Sequence, residues 1–173
     1  MYKEQYIYCY ESCATCSAKG EENDSKCLTC DKVNNYYPLY NDKSNCINNE
    51  MKENYHKDKY LDNVEKQYKQ CGNECKSCSL SEHECDECAD GFHIRIEPPN
   101  EETKECLNED IKNEKYPNYF LDTTDNKYKQ CHSNCAKCTE LGNKLNTKCK
   151  RCKDEFIQDP ITPEHCVKLC NYY

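Results

Sequence analysis

The sequence predicts a small disulfide-rich protein: an elongated array of three cystine-knuckle plus short β-hairpin repeats, with little helix and a minimal apolar core. Three observations predict it. Nineteen of the 173 residues are Cys, the density of a chain whose unfolded state is restrained by cross-links rather than collapsed by burial. Leu, Ile, Val and Phe together number 22, too few for a conventional core. Eighteen of the cysteines fall into three sets with one spacing.

The sets are Cys9, Cys13, Cys16, Cys27, Cys30, Cys46; then Cys71, Cys75, Cys78, Cys85, Cys88, Cys106; then Cys131, Cys135, Cys138, Cys149, Cys152, Cys166. Each reads C-x3-C-x2-C, a gap of 6 or 10, C-x2-C, a gap of 13 to 17, and a last Cys. Such a period marks a repeat array. The repeats divide the chain into 1–50, 51–110 and 111–170, the second and third each opening with a connector, and residues 171–173 read as the start of a further, truncated unit. Cys170 is left over.

The connectors repeat as well. Tyr60-Leu61-Asp62 and Tyr68-Lys69-Gln70-Cys71 in one correspond to Phe120-Leu121-Asp122 and Tyr128-Lys129-Gln130-Cys131 in the other. Short extended pieces around polar turns, residues 63–66 and 123–127, fit both, and neither connector carries a sustained 3.6-residue apolar period. A further aromatic-containing extended stretch follows each second C-x2-C: Asn35 to Tyr40, Gly91 to Ile96, and Glu155 to Ile157. Pro98-Pro99 and Pro160 to Pro163 break anything longer.

Composition excludes several functions. The net charge of −8 argues against nucleic-acid binding by phosphate neutralisation, and no apolar run approaches the length of a membrane span. The start, Met1 to Tyr6, has no apolar segment of the secretory type, so the chain reads as part of a longer repeat protein. The 22 Lys against 2 Arg, with 19 Asn, read as the bias of an A/T-rich coding sequence.

The third copy, Cys131-His132-Ser133-Asn134-Cys135-Ala136-Lys137-Cys138 followed by Cys149-Lys150-Arg151-Cys152 and Cys166-Val167-Lys168-Leu169-Cys170, resembles a furin-like, growth-factor-receptor cysteine-rich repeat. The likeness covers nearly the whole chain three times over. It implies an extracellular rod or surface that binds other proteins, as in ciliates and other protists. The Asn/Lys/Tyr bias and the tail Cys170-Asn171-Tyr172-Tyr173 also resemble repeats of anaerobic gut fungal cellulosome scaffoldins, whose modules act as cohesins for enzyme-borne dockerins.

The family pairs first with third, second with fourth, and fifth with sixth. Carried over, this implies Cys9–Cys16, Cys13–Cys27, Cys30–Cys46, Cys71–Cys78, Cys75–Cys85, Cys88–Cys106, Cys131–Cys138, Cys135–Cys149 and Cys152–Cys166; spacing alone allows fifteen pairings per copy. A further family cystine would join positions held here by Glu50 and Tyr68, and again by Asp110 and Tyr128, so both halves are absent together. Cys170 occupies the first half of such a pair and is unpaired in this chain, its partner expected beyond Tyr173.

Zinc is the competing reading. C-x2-C-x10-C-x2-C, as in Cys13/Cys16/Cys27/Cys30, suits a tetrahedral four-thiolate site, but it leaves Cys9 and Cys46 and their counterparts unassigned, whereas three disulfides use all six. No metal and no cofactor is therefore expected. Nor is catalysis: His56, His83, His93, His132 and His165 form no recurring arrangement with a nucleophile, and His132 reads as a knuckle surface residue. The carboxylate pairs Glu21-Glu22 and Glu101-Glu102 read as solvated loop residues. One glycosylation sequon occurs, Asn23-Asp24-Ser25.

Fifteen Tyr with no Trp give broad contact area at low rotamer cost. Tyr6, Tyr68 and Tyr128, each three before a knuckle, read as structural, packed on cystine sulfur. Tyr36, Tyr37, Tyr40, Tyr60, Tyr119 and Phe120 on the hairpin arms are the expected partner contacts. The expectation is a non-catalytic, extracellular (secreted or cell-surface) protein-binding module: most specifically a scaffoldin cohesin docking dockerin-bearing plant-wall-degrading enzymes, otherwise a protist adhesion or antigen segment, and failing both a zinc-binding repeat array.

Overall fold

The computed structural model describes residues 7–99 and 101–168; Tyr6 and Cys170 lie outside the described residues. The chain separates into two compact units, residues 1–87 and 88–173.

In unit 1, β1 (Cys13–Cys16) pairs antiparallel with β2 (Cys27–Cys30), Cys13 opposite Cys30 and Cys16 opposite Cys27. Cys13 and Cys27 form a cystine across this hairpin, while Cys16 reaches back to Cys9 and Cys30 reaches forward to Cys46. The knuckle is thus stapled within itself and tied to the chain on either side. Cys71–Cys78, Cys75–Cys85 and Cys88–Cys106 follow in the second copy, and Cys131–Cys138, Cys135–Cys149 and Cys152–Cys166 in the third. These are the pairs that the family's pattern implies. Their Cα atoms lie 5.0–5.9 Å apart, within ordinary disulfide geometry.

The long knuckle loops are tied down by one recurring device. Gly20 and Gly142 stand four residues after the third cysteine of their copies, and a Cβ on either would lie 2.0 Å from the backbone oxygen of Ser25 or Thr147. Only a residue without a side chain permits that approach. Ser25 and Thr147 are fully buried. The Ser25 hydroxyl donates to Asn45 at 2.9 Å, and Thr147 Oγ1 donates to the Glu164 carbonyl and accepts the Cys166 N–H. Each loop is thereby pinned to the segment that carries the sixth cysteine.

After the first knuckle, β3 (Tyr37–Pro38) pairs with β4 (Cys46–Ile47). There follows α1 (Asn49–Tyr55), then the hairpin of β5 (Lys59–Asp62) and β6 (Gln67–Gln70), and then β7 (Cys75–Cys78) beside β8 (Cys85–Cys88), the strand in which the unit ends. Unit 2 continues with β9 (His93–Glu97) and β10 (Glu101–Leu107), α2 (Glu109–Lys115), and β11 (Tyr119–Asp122) with β12 (Lys127–Gln130). β12 adds parallel to β9, giving a four-stranded sheet in the order β10-β9-β12-β11. The third knuckle is β13 (Cys135–Cys138) with β14 (Cys149–Cys152), followed by β15 (Phe156–Gln158) with β16 (Cys166–Lys168).

The two helices are elements that the connectors' lack of apolar period did not predict. At seven residues each they are too short to show one. What starts them is local: Asn48 and Asn108 sit at the N-caps, and their side-chain oxygens accept the N–H of Met51 and Ile111, each at 2.9 Å. What holds them is packing, since an isolated helix of this length is unstable. Ile47, Met51 and Tyr68 form one core cluster, and Leu107, Tyr119 and Tyr128 another, with Ile111 and Tyr116 against it. Tyr68 and Tyr128 are each 2% exposed, so their role is structural, but their clusters are aliphatic and aromatic rather than cystine sulfur. Burial pushes the Tyr68 hydroxyl up to about 12.

The connector hairpins share one register, Leu61 opposite Tyr68 and Leu121 opposite Tyr128. Their turns share one anchor. Asp62 accepts the N–H groups of Val64 and Glu65 and binds Lys69 Nζ at 2.7 Å; Asp122 accepts the Thr124 N–H and hydroxyl and binds Lys129 Nζ at 2.8 Å. Those lysine contacts, with the turn hydrogen bonds, hold both carboxyls down to about 2.

Two outcomes follow. Replacing both cysteines of Cys88–Cys106, separated by 18 residues, should destabilise unit 2 by about 2–4 kcal/mol in thermal unfolding, and replacing Cys71–Cys78, separated by 7, should cost about 1 kcal/mol less in chain entropy. A carboxylate with a depressed folded pKa stabilises above its unfolded value and loses that contribution as pH falls through the folded one. Asp122→Asn should therefore flatten the fall of melting temperature between the ordinary value of 3.8 and about 2, and leave the slope above that window unchanged.

Candidate interaction surface

The six rings expected at a partner interface occupy three environments. Tyr119 and Phe120 are each 6% exposed. Adjacent strand residues face opposite ways, and both faces of β11 are covered: Tyr119 joins Leu107 and Tyr128, while Phe120 lies among Cys131, Cys135, Cys138, Cys149 and Cys166. Phe120 thus packs on cystine sulfur, and neither residue is available as a surface contact. Tyr36, Tyr37 and Tyr60 are half-buried, Tyr36 against the first copy's cystines and both Tyr36 and Tyr37 against the Ile47 cluster. Tyr40 alone of the six is exposed, at 56%, with Lys69 Nζ 6.0 Å from its ring centre. Tyr8 and Tyr55, which the sequence pattern did not single out, are more exposed still.

The histidines are dispersed. His83 Nδ1 lies 2.5 Å from Glu74 at the surface, His132 and His165 accept backbone N–H groups through Nδ1, and His93 meets the Tyr128 ring edge-on. His56 follows α1, its Nε2 buried without a partner, and burial lowers its pKa with help from Lys59. Among the described residues no group of three or more His, Cys, Asp or Glu could hold a metal ion. All eighteen knuckle cysteines are in disulfides, and a cystine sulfur is not a thiolate ligand.

The strongest electrostatic feature of unit 2 is internal. Arg95 is 8% exposed; its Nε donates to Glu105 at 2.8 Å and its Nη1 to Glu97 at 2.7 Å. Its guanidinium carbon lies 4.6 Å from the Tyr116 ring centre, and the Tyr116 hydroxyl donates to both oxygens of Glu105. Burial works against the charge, and the hydrogen bonds to Glu97 and Glu105 outweigh it, so the pKa is raised. In unit 1 the corresponding backbone bridge to a connector tyrosine is made by Leu39 with Tyr68, where unit 2 has Arg95 with Tyr128. Nothing in the composition marks this arginine as a core residue.

The surface includes the outer face of each knuckle and several shallow concavities. The same cross-strand position carries Thr15 opposite Thr29 in the first copy, hydroxyls 2.6 Å apart, and Lys137 opposite Arg151 in the third. In the second copy the corresponding residues are Ser77 and Glu87, and Glu87 pairs with Lys76, next to Ser77, at 2.6 Å. One concavity, about 340 Å³, is lined in unit 1 by Leu28, Lys32, Pro38, Lys43 and Lys66 among others. Another, about 450 Å³, adjoins the third knuckle and is lined by Ala136, Arg151, Lys153, Asp154, Glu155 and Phe156.

Cystine knuckles and hairpins with short capped helices define a cysteine-rich repeat protein stabilised by disulfides, a construction at home where thiols are oxidised. The chain is 27% identical over 160 residues to the human extracellular matrix organizing protein FRAS1, an alignment covering 92% of this chain and 3% of that protein. The chain thus spans a small fraction of the length of the curated relative it matches. No protein-family model matches it, and no solved structure does.

Removing Arg95 strands a half-buried carboxylate. Arg95→Ala should destabilise unit 2 by about 2 kcal/mol, less than a fully buried pair because Glu97 and Glu105 keep solvent contact. Arg95→Lys should recover only part of it, since an ammonium cannot donate in the same fork. Thermal unfolding of both variants measures this.

Proposed function

We propose that the chain is a non-catalytic, extracellular protein-binding segment of a longer repeat protein, in which cystine-locked knuckles present side chains to a partner. One observation carries this reading: the three knuckles keep one disulfide framework while the exposed pairs between their cysteines change from Thr15/Thr29 to Lys137/Arg151. Residues inside a C-x2-C, each next to a half-cystine, have a backbone that is already held, so less ordering opposes association. The oxidised framework supports an extracellular setting, and so does the likeness to a matrix-organizing protein.

The finer reading, a scaffoldin cohesin that captures dockerin-bearing enzymes, rests on the sequence resemblance and the Asn/Lys/Tyr bias. It is tested by capture. The folded chain should enrich dockerin-bearing proteins from the secretions of a cellulolytic gut fungus, and a reduced, alkylated control should not. Equal recovery on the two would remove the cohesin reading. An adhesive or antigenic surface segment is the reading left in that case.

The contact contributed by the hairpin arm can be assayed on one ring. Replacing Tyr36, Tyr37 and Tyr40 together would disturb the core, because the first two pack in it. Tyr40→Ala should move stability by no more than about 0.5 kcal/mol, as for other exposed positions. If the arm is a contact, the same variant weakens capture; unchanged capture assigns binding elsewhere.

A further inference from the structure

The third knuckle departs from the other two in a way that its own stability does not explain. Lys137 and Arg151 stand directly opposite each other on β13 and β14, both exposed, and like charges in that relation are unfavourable. The first copy fills the position with two threonines joined by a hydrogen bond; in the second the corresponding residues are Ser77 and Glu87, and Glu87 is ion-paired with Lys76. In the third, neither Lys137, Arg151 nor the neighbouring Lys153 has an ion-pair partner among the described residues, although Lys148 nearby has two, Glu140 and Glu164. Arg151 is, besides the buried Arg95, the chain's other arginine.

Lys137 stands across the strands from Arg151, and Arg151 and Lys153 line the 450 Å³ concavity together with Ala136 and Phe156. Its walls are held firmly. Arg151 and Lys153 flank Cys152, bonded to Cys166, and Ala136 follows Cys135, bonded to Cys149. The Lys153 N–H donates to the Asn134 carbonyl, the Phe156 N–H to the Lys153 carbonyl, and the Asn134 amide to the Cys166 carbonyl at 2.9 Å. Asp154 and Glu155 line the same hollow.

We propose that this concavity docks an acidic peptide segment of a protein partner, Arg151 and Lys137 taking its carboxylates. A guanidinium presents a fork matched to a carboxylate, and an anion brought between two like charges relieves their repulsion. The choice of a peptide over a sulfated polysaccharide follows from Asp154 and Glu155: a uniformly anionic chain would press against them, whereas a peptide can turn carboxylates to one wall and amides or a cation to the other. The inference deepens the protein-binding reading and rests on it.

The test is selection of a random-peptide phage library on the full chain at low ionic strength, with a heparin fragment assayed in parallel. Enriched peptides should carry clustered Asp and Glu. Their affinity should fall about tenfold or more on Lys137→Thr/Arg151→Thr, the pair borrowed from the first knuckle, and weaken with salt. Lys32→Thr/Lys43→Thr, equal in charge change, should leave it unaltered. The Lys137→Thr/Arg151→Thr chain should melt no lower than the parent, since a repulsive pair is gone; if threonine lowers the transition, glutamine at both positions serves instead. Selected peptides that bind parent and variant equally would overturn the site while leaving the protein-binding reading standing. Heparin binding that depends on these two residues, with no acidic peptide enriched, would overturn the ligand class. Absence of both would overturn the proposal, and the capture assay separately decides the reading beneath it.

Discussion

The rest of the structure depends on the closure of each knuckle by cystines that overlap along the chain. Cys13–Cys27 fastens a hairpin, Cys9–Cys16 secures its entry and Cys30–Cys46 its exit. No other force present could substitute. With so few aliphatic side chains, burial cannot offset the conformational entropy of ordering the chain, and two of the core clusters are made largely of half-cystines. Cross-links shift the balance from the other side, by restricting the unfolded ensemble.

The connectors show what happens where a cystine is missing. In the furin-like repeats that the sequence resembles, a cystine would join the positions held here by Glu50 and Tyr68, and by Asp110 and Tyr128. Here the same two segments meet through packing instead: Met51, next to Glu50, shares a cluster with Tyr68, and Ile111, next to Asp110, packs against the cluster of Tyr128. A capped two-turn helix and a buried tyrosine thus do the joining that a covalent bond would do. The chain spends much of its scarce apolar surface at the positions where the sulfur framework is interrupted.

How much of this was legible depends on the kind of signal. Cysteine spacing is discrete, so the knuckles and the repeat stood out, and with them the hairpins between tyrosine-bearing arms. The helices were hidden because seven residues cannot display a period; their trace was Asn48 and Asn108 followed three residues on by Met51 and Ile111. The burial of Tyr119 and Phe120 was hidden because an arm covered on both faces reads, in sequence, like an exposed aromatic strand. Gly20 and Gly142 offered a signal at matching positions, four after a cysteine, that only a close approach to Ser25 and Thr147 explains. Lys137 and Arg151 were in plain view as residues, but their opposition appears only when strand register places them face to face.

Register also separates the copies by chemistry. In the first knuckle the exposed pair satisfies itself through a hydrogen bond, and in the second the one charge at that position, Glu87, is met by the adjacent Lys76. Both are closed systems, with little left for an outside group to gain. The third leaves two cations facing each other, one of them, Arg151, in the wall of a hollow that Ala136 and Phe156 also line. A repeat array of this kind need not bind once per repeat: a common framework supplies rigidity three times, and recognition is concentrated where the internal pairing has been left unmet.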